Sequence, residues 1–296
     1  MREHRRYLRS DMAEECCDSE QLSKGVRGIR FSEENIDGFR LSRLTIETEE
    51  GEKILGKPKG RYVTIELGKI WLAEDERYRL AERLLSREIR LMAGALTEEN
   101  GPILIAGLGN RKITSDAIGP LTVEGLTVTR HIKESDRTLF DRLGLRETAA
   151  VAPGVVGQTG IETVELLRGA AETVRPSLVL CIDALAAKSI ERLAVTVQLS
   201  DSGISPGSGI GNRRKAISKD TLGVPVLALG IPTVVDSSTL ILDALERAGI
   251  EELPSALTDE LNNGRSFFVT LKDTDVVTNE WARLLTAALN DAFTRF

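Results

Sequence analysis

The chain has 296 residues, 41% of them hydrophobic, which suffices for one large α/β domain or two small ones. A formal net charge of −6, with 45 acids outnumbering 39 scattered lysines and arginines, argues against direct nucleic-acid binding. Three cysteines, two of them adjacent at Cys16 and Cys17, give neither a disulfide framework nor zinc spacing; with no signal peptide and no apolar run near the ~20 residues of a membrane helix, a reducing cytoplasm is the expected location.

Residues 1–27 are polar, basic at the front and acidic after Asp11, and they lack apolar periodicity, which predicts an extension outside the core. Residues 29–70 carry short alternating runs, RLTIET and YVTIELGKIWL, broken by glycine and proline, and predict a small antiparallel β layer. Across residues 73–96, Leu80, Ala81, Leu84, Leu85, Ile89 and Met92 recur at intervals of three and four, the pattern of an amphipathic helix. Apolar strands then alternate with helices: strands at 103–109, 178–185, 193–199, 224–230 and 267–271, helices near 162–174, 237–248 and 280–296. The alternation implies an α/β fold, a three-layer αβα arrangement with a mostly parallel sheet covered on both faces. Such sheets hold their ligand sites at the carboxyl ends of the strands.

Two acids stand at such ends. In ILIAGLGNRKITSDAIGP the glycines Gly107 and Gly109 suggest a dinucleotide fingerprint, but Lys112 occupies the place of the third glycine, leaving a tight turn followed by Asp116. In SLVLCIDALAAKSI, Asp183 ends an apolar run, where it either caps a following helix or serves chemistry, since burying a lone carboxylate is costly. Two carboxylates sharing one site cannot easily both ionise, so they can hold a proton and a water between them: one takes a proton from the water while the other polarises a carbonyl. Backbone N–H groups around 154–160 or 207–211 are candidate oxyanion donors.

Other nucleophile schemes fit poorly. The only histidines are His4 and His131, the latter in a polar stretch; GSGIG is not a nucleophile elbow, and HExxH is absent. The loop SPGSGIGNRRKAIS reads either as a surface loop or as a substrate-binding loop in which Arg213, Arg214 or Lys215 receives an acidic side chain. Asp236, in a strand expected to end with Pro232, reads as a helix N-cap.

Taken in order, GLGNRKITSDAIGP, APGVVGQTGIET, CIDALAA, GISPGSGIGNRR, LGVPVLALGIPTVVD and FFVTLKDTD resemble the spore germination protease family, from about residue 11 to the C-terminus. The resemblance implies an atypical aspartic endopeptidase that begins the degradation of small acid-soluble spore proteins at germination, with Asp116 and Asp183 catalytic and no cofactor or metal. It further implies a homotetrameric zymogen of the forespore and spore core that cuts RSDMAEE between Asp11 and Met12, dividing a propeptide at 1–11 from one peptidase domain at 12–296. The family fold resembles the hydrogenase-maturation endopeptidases, whose equivalent acids help bind nickel. A metallopeptidase using the same two carboxylates therefore stays open, as does a non-catalytic peptide-binding protein.

Overall fold

A computed structural model describes residues 10–17, 22, 25–97, 101–208, 214–250, 254–261 and 267–294. Within them, nine strands form a mixed sheet: β1 (Ile29–Ile36), β2 (Phe39–Ile46), β3 (Gly60–Glu66), β4 (Ile103–Gly107), β5 (Thr148–Val151), β6 (Leu178–Ala187), β7 (Thr196–Ser200), β8 (Val226–Asp236) and β9 (Phe268–Val269). Their spatial order is β1-β2-β3-β7-β8-β6-β4-β5, with β9 pairing the far end of β8. β5, β4, β6 and β8 run parallel, and β7 then turns the sheet antiparallel through β3, β2 and β1. The antiparallel strands thus continue the parallel half through the β3–β7 pairing.

Local chemistry explains the pieces. Asp37 and Gly38 both take positive φ, 53° and 80°, as a two-residue hairpin between β1 and β2 requires. β4, and β6 as far as Ile182, are continuous apolar runs because helices cover both of their faces. On one face lie α1 (Asp75–Gly94) and α5 (Thr274–Phe293), whose Leu85, Ile89, Trp281 and Leu285 pack with Ile105, Leu180, Ile182 and Leu229. The other face carries α3 (Thr163–Val174), with Val164 and Leu167 against Leu104, Val179 and Cys181. The short α2 (Ile118–Glu124) and α4 (Ser237–Arg247) follow β4 and β8. Among the described residues no helix is long and apolar enough to cross a membrane.

Two expectations are corrected. β8 does not end with Pro232 but runs on to Asp236; the register against β6 shifts between Leu185 and Ala186, where Leu185 faces Pro232, so the missing N–H falls at an irregularity. Residues 12–22 do not all lie outside the core either. Met12, Ala13 and Leu22 are fully buried, the latter two in a satellite cluster with Leu44, Ile46, Leu55 and Tyr62. Isolated apolar residues docked singly leave no periodicity to read.

Candidate active site

β4 stops at Gly107, opposite Ile182, while β6 runs on to Ala187. The overhang exposes one strand end beside the turn that follows the other. Asp183 lies at the first position of this overhang and is only 5% exposed; its Oδ1 accepts a hydrogen bond from the neighbouring Ala184 N–H at 3.0 Å. Burial pushes its pKa well above the ordinary aspartate value, and the charges of Asp116 and then Asp11 push it the same way.

Asp116 closes a 3₁₀ turn, Thr114–Asp116, and its Oδ2 accepts from the Asn110 N–H at 2.7 Å. Burial raises its pKa too, opposed by that one bond. The turn is pinned from outside: Thr233 of β8 donates to the Ser115 carbonyl at 2.6 Å, and Thr278 of α5 to the Thr114 carbonyl at 3.2 Å. Gly119 sets the spacing. A Cβ there would stand 2.4 Å from the Leu108 carbonyl oxygen and 2.6 Å from that of Ile182, so only glycine lets the start of α2 press against both strands.

The N-terminal segment lies across the same strand end. The Asp11 N–H donates to the Ala186 carbonyl at 2.8 Å, and the Ala186 N–H donates back to Asp11 Oδ2 at 2.9 Å. Ser208 Oγ donates to Asp11 Oδ1 at 2.6 Å. Buried Gln198 of β7 spans the Asp11–Met12 bond: its Nε2 donates to the Asp11 carbonyl at 3.4 Å, while its Oε1 accepts from the Ala13 N–H at 2.7 Å. Met12 is fully buried, and Lys57 Nζ holds the Ser10 carbonyl at 2.9 Å. After this bond the chain enters a single 3₁₀ turn, Ala13–Cys16.

Comparison with known proteins decides the family. Residues 8–249 match the family described as germination protease. The chain belongs to the germination protease family. It is 44% identical over 237 residues to the germination protease of Oceanobacillus iheyensis, covering 80% of this chain and 64% of that protein. The germination proteases of Caldanaerobacter subterraneus and Clostridium acetobutylicum are 39% and 36% identical, over 90% and 96% of this chain and 79% and 85% of theirs. The chain thus spans less than two thirds of the Oceanobacillus protein's length. A [NiFe] hydrogenase maturation protease HycI from Thermococcus kodakarensis aligns over 58% of this chain and 99% of its own at 18% identity and a TM-score of 0.32, too slight a likeness to carry an argument.

In this germination protease chain the charges of Asp116 and Asp11 reach Asp183, and other sequence candidates lie elsewhere. Lys215 pairs with Glu165 of α3 at 3.0 Å, and Arg214 stands 3.9 Å from Glu162; the Asp11 carboxylate is met by Ser208 and Ala186. Arg213 and the glycines of GSGIG beyond Ser208 lie outside the described residues. In the 154–160 turn, Gln158 Nε2 donates to Asn110 Oδ1 at 2.8 Å, tying that turn to the loop that holds Asp116. His131 is exposed on a surface helix, and Asp236 caps α4 by accepting from the Thr239 N–H at 3.0 Å. Asp116 and Asp183 are the acids a metal at this strand end would have to use; among the described residues no group of three or more histidine, cysteine or acidic side chains is arranged as a metal cage. Gln198 was not anticipated: TVQLS reads as an ordinary strand, and nothing in its pattern marks the glutamine.

Proposed function

We propose that this chain is the precursor of an endopeptidase that cuts its own Asp11–Met12 bond with Asp116 and Asp183, and then cuts small acid-soluble spore proteins at similar acidic sites. The observation that carries the reading is the position of that bond at the β6 overhang, close enough for the Asp11 charge to act on Asp183. The pair shares one proton. Asp183, the more deeply buried, keeps it, and Asp116, stabilised by the Asn110 N–H, is the ionised partner.

Asp116 then takes a proton from an attacking water, and Asp183 gives its own to the Asp11 carbonyl oxygen as the water oxygen bonds to the carbonyl carbon. The Gln198 amide N–H stabilises the charge that develops on that oxygen. Collapse of the tetrahedral adduct breaks the C–N bond; the proton held by Asp116 passes to the departing Met12 nitrogen, and Asp183 recovers its own from the adduct hydroxyl. The two carboxylates end as they began. The family resemblance extends the proposal to a homotetramer working in the cytoplasm of the forespore and in the spore core. Incubating the protein, once it has processed itself, with a purified acid-soluble spore protein tests the reading: fragments ending in acidic residues are expected by mass spectrometry, and an intact substrate contradicts it.

A further inference from the structure

Two glutamates follow the Asp11–Met12 bond, and both are received by groups from distant parts of the fold. The Glu14 side chain, third after the bond counting Met12 as first, is 2% exposed. Its Oε1 lies 2.7 Å from Arg40 and 3.2 Å from Arg192, while its Oε2 accepts from Ser42 Oγ at 3.0 Å and from Arg192 at 3.2 Å. Burial alone would raise its pKa, but Arg192 and Arg40 outweigh that and hold it below the usual carboxylate range. Glu15 caps the turn after β6: its Oε2 accepts from the Lys188 N–H at 2.6 Å and its Oε1 from the Ser189 N–H at 3.0 Å.

The receiving groups do not depend on Glu14 for their positions. Arg40 is also bonded to Glu33 and Glu66, Arg192 stands 3.7 Å from Glu66, and the Lys188 and Ser189 amides belong to the main chain beyond β6. Were Glu14 and Glu15 to leave, two arginines and two backbone donors would stay beside the strand end that holds the carboxylate pair. Buried, charge-assisted contacts of this kind discriminate strongly between an acidic side chain and one without charge.

We infer that these groups are substrate subsites on the C-terminal side of the cut: Arg40, Arg192 and Ser42 receive an acidic side chain at the third residue, and the Lys188 and Ser189 amides receive a carboxylate at the fourth. The inference rests on the peptidase reading above. It has a consequence for the processed enzyme. Cutting the Asp11–Met12 bond leaves Met12 to Glu15 attached to the body and, at the high effective concentration of a tethered group, filling both subsites. That segment must leave before the acidic segment of a second protein can enter.

The probe is a synthetic peptide, LRSDMAEE, with two relatives carrying alanine at the third or fourth position after the cleaved bond, each offered to the protein after it has removed its own residues 1–11. Each alanine is expected to lower kcat/KM by about 10- to 100-fold. Arg192→Ala should shrink the Glu-to-Ala ratio at the third position strongly and at the fourth more weakly, since its Nε also stands 3.7 Å from Glu15 Oε1, and Ser42→Ala should reduce the third-position ratio alone, and only in part. These ratios are internal to each variant, so a general loss of folding does not move them. Equal cleavage of the three peptides by the wild-type protein overturns the subsites alone. Failure of the purified chain to process itself overturns the peptidase reading, and the subsites with it, whereas a processed protein that leaves LRSDMAEE uncut overturns the subsites alone.

Discussion

Asp183 occupies a place where an apolar residue would cost nothing, at the end of LVLCI and almost without contact with water. Its raised pKa has a definite consequence for stability. An aspartate in an unfolded chain titrates near ~3.9, so as pH rises from there the unfolded state loses its proton while the folded state still holds one. The stability that Asp183 contributes is therefore fully present below that window and is lost as pH rises through its folded-state pKa. Asp183→Asn, which cannot ionise, is expected to melt above the wild type at neutral pH and to lose that advantage near pH ~4. A melting series by circular dichroism checks this, and a variant that melts lower at neutral pH contradicts it. Self-cleavage should peak between the pKa values of the pair, slowing in stronger acid as Asp116 takes up a proton and at higher pH as Asp183 ionises. Gln198→Ala should slow it about 100-fold if its amide serves the carbonyl oxygen; an unchanged rate would remove that role. Of the two aspartates the proposal uses, Asp183 stands out because it interrupts an apolar strand and Asp116 because it lies in the turn that follows one, whereas Gln198 sits in a strand whose polar positions all look alike.

The elements hold these side chains through close contacts that a single atom disturbs. Gly119→Ala would drive a methyl into the backbone of Leu108 and Ile182 and is expected to cost about 3 kcal/mol, while slowing self-cleavage beyond what the lost stability explains. Denaturant melts and a cleavage time course on the same samples separate the two effects; a variant as stable and as fast as wild type would show the contact to be slack. Toward the antiparallel edge of the sheet, Arg43 of β2 pairs with the fully buried Glu88 of α1 at 2.7 Å. Arg43→Ala should destabilise by less than the ~3–5 kcal/mol of a fully broken buried pair, because Arg87 still meets Glu88 at 3.0 Å. The central strands and long helices were legible from period alone. β5, only four residues of TAAV, and α2, opening IGP, were not, since neither is long enough to show a period and tertiary packing decides both.

Across the whole molecule, residues 10–17 tie together strands that are far apart in the chain. Ser10 is held from Lys57, Asp11 from β6 and Ser208, Ala13 from β7, and Glu14 from β2 and Arg192. No local pattern announces such docking, which is why the sequence alone suggested a detached extension; the proposed cut at Asp11–Met12 rests on resemblance. A metal held by the two carboxylates would make cleavage depend on it. The proposed mechanism predicts that a chelator leaves the self-cleavage rate unchanged, and a loss restored by added divalent cation would favour the metallopeptidase. The most direct test of the shared-carboxylate claim is intact-mass spectrometry of the purified full-length chain beside Asp116→Asn and Asp183→Asn. The wild type should lose residues 1–11 and nothing else, while both folded variants keep their full mass over the same time; processing of either variant at the wild-type rate would contradict the account.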